Sequence, residues 1–136
     1  MRDNVKYTRH GKSRELVWGK SWKGIDLTYA DFTNADLCAA SFHGANLLGI
    51  NLRGANLNAA DLRFTDLCAA NLREAQLRHA ELNGADLRAA SLDNADLYAA
   101  ELLGTNLTNA YVTNAVFSDQ QKQESINYNK TIPRGE

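Results

Sequence analysis

The side chains in this sequence that could do chemistry are three histidines (His10, His43 and His79), two cysteines (Cys38 and Cys68) and sixteen carboxylates. The histidines are scattered, and no Cys/His set has the spacing of a zinc site, so no metal ligands are expected. The carboxylates recur singly along the chain, with no apolar pocket to drive two of their pKa values apart for acid–base work. The glycines return at a long fixed interval instead of clustering into a phosphate loop. No catalytic residue, cofactor site or small-molecule substrate is therefore expected, and the function class is binding, not catalysis.

Recognition chemistry is the better prospect. Arg53, Arg63, Arg73 and Arg78 gather around Phe64, with Glu74 and His79 among them. Guanidinium groups around an exposed aromatic have the composition of a protein-interaction hot spot. The plain alternative is a solvated surface on which Arg73 pairs with Glu74 or with Asp93. Which of these side chains can meet depends on the element that carries them.

That element is set by Ile25–Val112, where a large apolar residue returns every fifth position. Seventeen such positions run from Leu27 to Leu107, each Leu or Phe. Ala, at times Ile or Thr, stands two residues earlier, and the residue between is usually Asp or Asn. A helix would rotate about 140° per five-residue step and scatter the leucines. A flat strand would send alternate leucines to opposite faces. Ala-Asp-Leu reads inward, outward, inward over three extended residues, and two further residues can turn a corner. Four corners close a coil of twenty residues.

The corners then form columns with a step of twenty. One holds Gly24, Gly44, Phe64, Gly84 and Gly104, and another Tyr29, Gly49, Ala69, Ala89 and Asn109. A third holds Asn34, Gly54, Glu74, Asn94 and Asn114, and the last Ala39, Ala59, His79 and Ala99. Gly and Asn suit the positive φ at the third position of a type II turn, whereas Ala suits a type I-like turn. Phe64, Glu74 and His79 each break the rule of their column, all within the coil from about Ala60 to His79. Arg63, Arg73 and Arg78 lie on three of its four sides, Arg53 falls one coil below Arg73, and Arg88 one coil above Cys68. Cys38 and Cys68, one and a half coils apart, face opposite ways and cannot be bridged.

The repeats, such as Ala35-Asp36-Leu37-Cys38-Ala39 and Ala85-Asp86-Leu87-Arg88-Ala89, resemble the A(D/N)Lxx pattern of the pentapeptide-repeat proteins. The resemblance covers about residues 21–117 as nineteen consecutive fives without an insertion. It implies an all-β fold, a right-handed quadrilateral parallel β-helix of nearly five coils. It also offers an alternative function, since some members mimic duplex DNA and bind type II topoisomerases such as gyrase. Those members are typically longer, dimeric and more evenly acidic. The family is abundant in cyanobacteria.

Net charge is −1 overall, with +4 over residues 1–20 and −5 over residues 21–117. The outward Asp residues are read as solubilising. Residues 1–20 make an N-terminal cap or arm, in which Val5–Thr8 and Glu15–Trp18 form a hairpin or a draped segment. Trp18 and Trp22 are placed to cover the first coil, because solenoid ends expose backbone and apolar groups. A basic, aromatic arm touching nucleic acid is the lesser alternative. Phe32, Phe42 and Phe117 are read as core near the ends. Ser118-Asp119-Gln120-Gln121 is a capping-box sequence opening a short C-terminal helix over 118–125, followed by a flexible tail, 126–136. No signal peptide or long apolar span is present, so the expected location is the cytoplasm. The expected partner is an unidentified protein or a second copy docked through a β-helix end, not nucleic acid or a membrane.

Overall fold

The computed structural model describes residues 3–18 and 21–127, without the side chains of 124–127. The expected tail beyond residue 127 lies outside the described residues. Residues 21–117 wind into a four-sided parallel coil. Its sides are four ladders with a step of twenty: Asp26–Asn46–Asp66–Asp86–Asn106, Asp31–Asn51–Asn71–Ser91–Tyr111, Asp36–Asn56–Gln76–Asp96–Val116 and Ser41–Asp61–Glu81–Glu101. We number these sides first to fourth. Each rung is one outward residue, flanked by inward ones. Asn46 donates its N–H to the Ile25 carbonyl at 2.9 Å and accepts from Leu27 at 2.9 Å. The corner residue adds a third bond, as from Tyr29 N–H to the Leu48 carbonyl at 2.9 Å.

The inward Leu and Ala columns fill the tube, with Leu37, Leu57, Leu77, Ala60 and Ala80 wholly buried. Where Thr65 and Thr105 replace Ala, the hydroxyls are buried but satisfied, donating to the carbonyls of Leu62 at 2.8 Å and Leu82 at 2.7 Å.

The corners are more uniform than their residue types suggest. At each, an Ala-column N–H closes a turn on the carbonyl of the large apolar residue three positions earlier, as from Ala70 to Leu67 at 3.1 Å. The third turn residue has positive φ whether it is Gly49, Asn34 or Ala; Ala39, Ala59, Ala69, Ala89 and Ala99 all lie between 56° and 61°. The type I-like turn expected at Ala corners is not formed. From Gly24 to Asn94 the corner N–H makes a ladder bond that holds the left-handed conformation. The last coil continues that conformation at Ala99, Asn109 and Asn114 with no such bond among the described residues; Ala is the smallest chiral residue that tolerates it.

The outward Asp and Asn residues also do more than solubilise. Asp66 accepts the backbone N–H of Cys68 at 3.0 Å, Asn71 that of Arg73 at 3.2 Å and Asp86 that of Arg88 at 3.1 Å. These are Asx turns, which satisfy the donor that enters those corners.

Both ends of the tube are covered. β1 (Val5–Arg9) and β2 (Lys12–Leu16) form an antiparallel hairpin, the first of the two arrangements that the sequence left open. Its loop is His10-Gly11, with φ of 53° and 74°, the type I′ signature. Thr8 pairs with Asp31 and so joins β1 to the second side, while Tyr7 stacks on Phe32 at 4.4 Å. Trp18 meets Trp22 at 4.9 Å, and Trp22 meets Phe42 at 5.3 Å, plugging the mouth.

At the other end α1 (Asp119–Asn127) opens with the reciprocal capping box of Ser118 and Gln121 and runs two residues past the expected stop. Along each ladder, a carbonyl in the Ala column accepts the N–H twenty-one residues on, as Ala80 does from Glu101. For Ala100 that partner is Gln121, which supplies its side-chain Nε2 at 2.8 Å and also reaches the Leu97 carbonyl at 2.6 Å.

Candidate interaction surface of the third coil

The ladders decide which of the singled-out residues can act together. Phe64 occupies the edge between the fourth and first sides, with Arg63 just before it on the fourth. Arg53 and Arg73 lie on the second side, and Glu74 at the edge leading to the third. Arg78 lies on the third side, with His79 at the edge to the fourth. The seven residues encircle the tube, so no single flat partner can touch all of them. Phe64 and Glu74 stand at diagonally opposite edges.

The arginines do not form a free cationic belt. Arg53 pairs with Glu74 at 3.2 Å, and Arg78 with Asp96 at 2.6 Å. The Arg78 guanidinium also lies 5.3 Å from the centre of the Tyr98 ring. Arg73 donates to Ser91 at 2.9 Å and lies 3.9 Å from Asp93, so of its two expected partners it takes Asp93 and leaves Glu74 to Arg53. Arg63 grips Asp61 through two bonds of 2.9 Å and reaches Glu81 at 3.0 Å. Its guanidinium holds the Asp61 carboxyl below the usual carboxylate range.

Phe64 is the departure that packing explains least. It holds φ at 58° yet leaves its side chain 61% exposed. The ring leans one coil along, onto Gly84; a Cβ on that glycine would lie 2.5 Å from the ring carbons. On the other side it meets His43, ring centres 5.4 Å apart. The His43 Nδ1 is buried without a hydrogen-bond partner, 3.8 Å from Asp61. His43, Glu81 and Leu103 join this surface although their roles were not singled out in the sequence. The signal was available: His43, Arg63 and Leu103 fall in one column with a step of twenty.

On the first side the same step brings Asp66, Cys68 and Asp86 together, with one donor atom of each within 4.8 Å of the others. Arg88 already engages Asp86 at 2.7 Å, placing a fixed positive charge where a cation would sit. Burial, with hydrogen bonds to Asp86 and Asp66, pushes the Cys68 thiol up to about 11. A groove of about 730 Å³ lies between the hairpin and the second side, lined by Lys6, Tyr7, Thr8, Arg14 and Asp31 among others. Among the described residues no helix is long and apolar enough to cross a membrane.

Residues 23–119 match the family model described as pentapeptide repeats, in eight copies. Among solved structures, the chain is similar to a pentapeptide repeat protein of the cyanobacterium Cyanothece 51142, with 27% identity, 72% of this chain and 88% of that one covered, and a TM-score of 0.39. A second, from Nostoc Pcc 7120, has 29% identity over 70% of this chain and 80% of that one, with a TM-score of 0.47. A third, from the Arabidopsis thaliana thylakoid lumen, has 30% identity over 79% and 74%, with a TM-score of 0.31. No curated protein matches the chain.

Proposed function

The chain belongs to the pentapeptide repeat family, and from that premise we propose that it is a non-enzymatic module that presents a rigid surface, centred on its third coil, to another protein. Pentapeptide repeat proteins form a right-handed quadrilateral β-helix, and the four ladders found here follow that four-sided plan. Such a frame holds outward side chains at fixed spacing, which favours matching a partner's surface over enclosing a substrate.

The observation that carries this reading is Phe64. A left-handed backbone at a bulky residue costs about 1–3 kcal/mol, and the Gly that fills most of this column would avoid that cost. An aromatic kept there, largely exposed, has the character of an anchor for a partner. The DNA-mimicking alternative asks for an evenly acidic surface. Here Arg53, Arg63, Arg73, Arg78 and Arg88 each stand against a carboxylate in the middle of the tube.

The test is affinity capture of bound proteins from the source cells by the intact chain and by Phe64→Ala and Arg73→Ala variants. A specific protein bound by the wild type and lost from at least one folded variant is expected. Retention by both, or inhibition of gyrase supercoiling by the wild type, counts against the reading.

A further inference from the structure

We propose that the edge carrying Phe64, together with the fourth side, docks an extended segment of a partner protein that alternates arginine with apolar residues. This deepens the interaction reading above and rests on it. Asp61, Glu81 and Glu101 occupy successive rungs, about 4.8 Å apart, so three carboxylates run along one line of roughly 10 Å. Among the described residues Arg63 is the one Lys or Arg set along this line; it pairs with Asp61 and Glu81, its field reaches Glu101, and His43 stands 3.8 Å from Asp61. Glu101 is held by a neutral donor, the Asn83 amide at 3.0 Å, so its charge is unmatched by any described cation in contact.

Two large apolar side chains stand beside this line, both toward the edge with the first side. Phe64 is 61% exposed and Leu103 62% exposed, two coils further along. The edge on which Phe64 stands is otherwise Gly24, Gly44, Gly84 and Gly104, so an approaching chain meets backbone and the aromatic face, not a fence of side chains. An acidic line beside apolar groups is complementary to a basic segment with apolar alternation. A guanidinium can stack on the Phe64 ring while bonding a carboxylate at Glu81 or Glu101. An extended segment rises about 3.4 Å per residue, so three or four residues span the line.

Tyr29 supplies an internal control. It is equally exposed, at 63%, and leans in the same way onto Gly49. The acid on its side in that coil, Asp26, is engaged by Arg9 from the hairpin at 3.3 Å.

The experiment is fluorescence anisotropy with the full chain and labelled (Arg-Leu)3 and (Glu-Leu)3 peptides, with folding of each variant checked by circular dichroism. The expected result is saturable binding of (Arg-Leu)3 but not (Glu-Leu)3. It should weaken at least tenfold in Phe64→Ala and in the Glu81→Gln/Glu101→Gln double variant, and change less than twofold in Tyr29→Ala. No binding of (Arg-Leu)3 overturns the inference, as does equal weakening by Tyr29→Ala or binding that ignores the glutamine pair. These outcomes leave the broader reading to the capture experiment: a partner lost with Phe64→Ala but kept with the glutamine pair would preserve the module and reject the basic segment.

Discussion

The side-chain oxygen of Asn58 accepts the backbone N–H of Arg78, one coil along, at 2.8 Å. That donor would ordinarily be served by an Asx residue two positions earlier, but Gln76 stands there and its side chain is one methylene too long for the turn. The same replacement occurs twice more. Glu101 and Tyr111 break the Asx pattern, and Asn83 and Asp93 from the coil below serve Leu103 at 2.8 Å and Thr113 at 2.9 Å. At these three corners the missing local acceptor is thus supplied by the neighbouring coil, which couples residues twenty apart.

Asn58→Ala should therefore destabilise the chain by about 1 kcal/mol, since it orphans the Arg78 N–H and loses the amide contact to Gln76. Adding Gln76→Asn should recover most of that loss by restoring the local turn. Urea denaturation of both variants checks this; a double variant no better than Asn58→Ala would refute the relay.

The left-handed corners predict different responses of adjacent alanines to glycine. At Ala69, with φ of 56°, release of strain offsets the entropy of glycine, and Ala69→Gly should lie within about 1 kcal/mol of the wild type. Ala70 is buried and closes the turn, so Ala70→Gly should cost about 1–2 kcal/mol through the lost methyl and added chain freedom. Equal losses at the two positions would contradict the corner geometry.

Hydrogen bonding to Arg88 depresses the Asp86 carboxyl to about 2, below its ordinary 3.8. A depressed carboxylate contributes stability above the unfolded value and loses it as pH falls through the folded one. Stability should thus fall between about pH 4 and pH 2, and less steeply in Asp86→Asn, as measured by denaturant midpoints across that range. The same substitution removes a carboxylate that helps to raise the Cys68 thiol, so labelling of Cys68 by iodoacetamide at pH 8 should be slow in the wild type and faster in the variant.

Gln121→Ala removes the side-chain donor to the Leu97 and Ala100 carbonyls. The Leu97 carbonyl keeps the Ala100 N–H, but the Ala100 carbonyl loses its donor, which costs about 1–3 kcal/mol. The expected sign is faster amide exchange confined to the last coil, with protection around Leu62 and Leu72 unchanged. Uniform loss of protection would instead indicate a single cooperative unit.

Much of the fold was legible because the constraint repeats. A period of five at Leu and a period of twenty at the corners leave few ways to bury Leu37, Leu57 and Leu77 together. The corners were misread at Ala59 and Ala69 because residue preference speaks of isolated turns, whereas here the ladder bond imposes the conformation. The role of Asp66 and Asn71 was missed for a related reason: an outward polar residue looks the same in sequence whether it meets water or a backbone N–H. On the surface, Phe64 was visible as a break in its column. That Arg73 and Phe64 lie on different sides was already legible from the columns, whereas the pairing of Arg53 with Glu74 depends on side-chain reach that periodicity does not encode.

Gln121 keeps the count of the coil while abandoning its backbone. It falls at the position where a sixth turn would lay its next rung, yet it answers Ala100 with a side-chain amide while its own N–H closes the capping box on Ser118. A coil of this kind is in principle an open-ended polymer, since each finished rung is a template for the next, in the same chain or in another molecule. A residue that occupies the template in register but offers no further rung to copy has, at that one position, the form of a chain terminator.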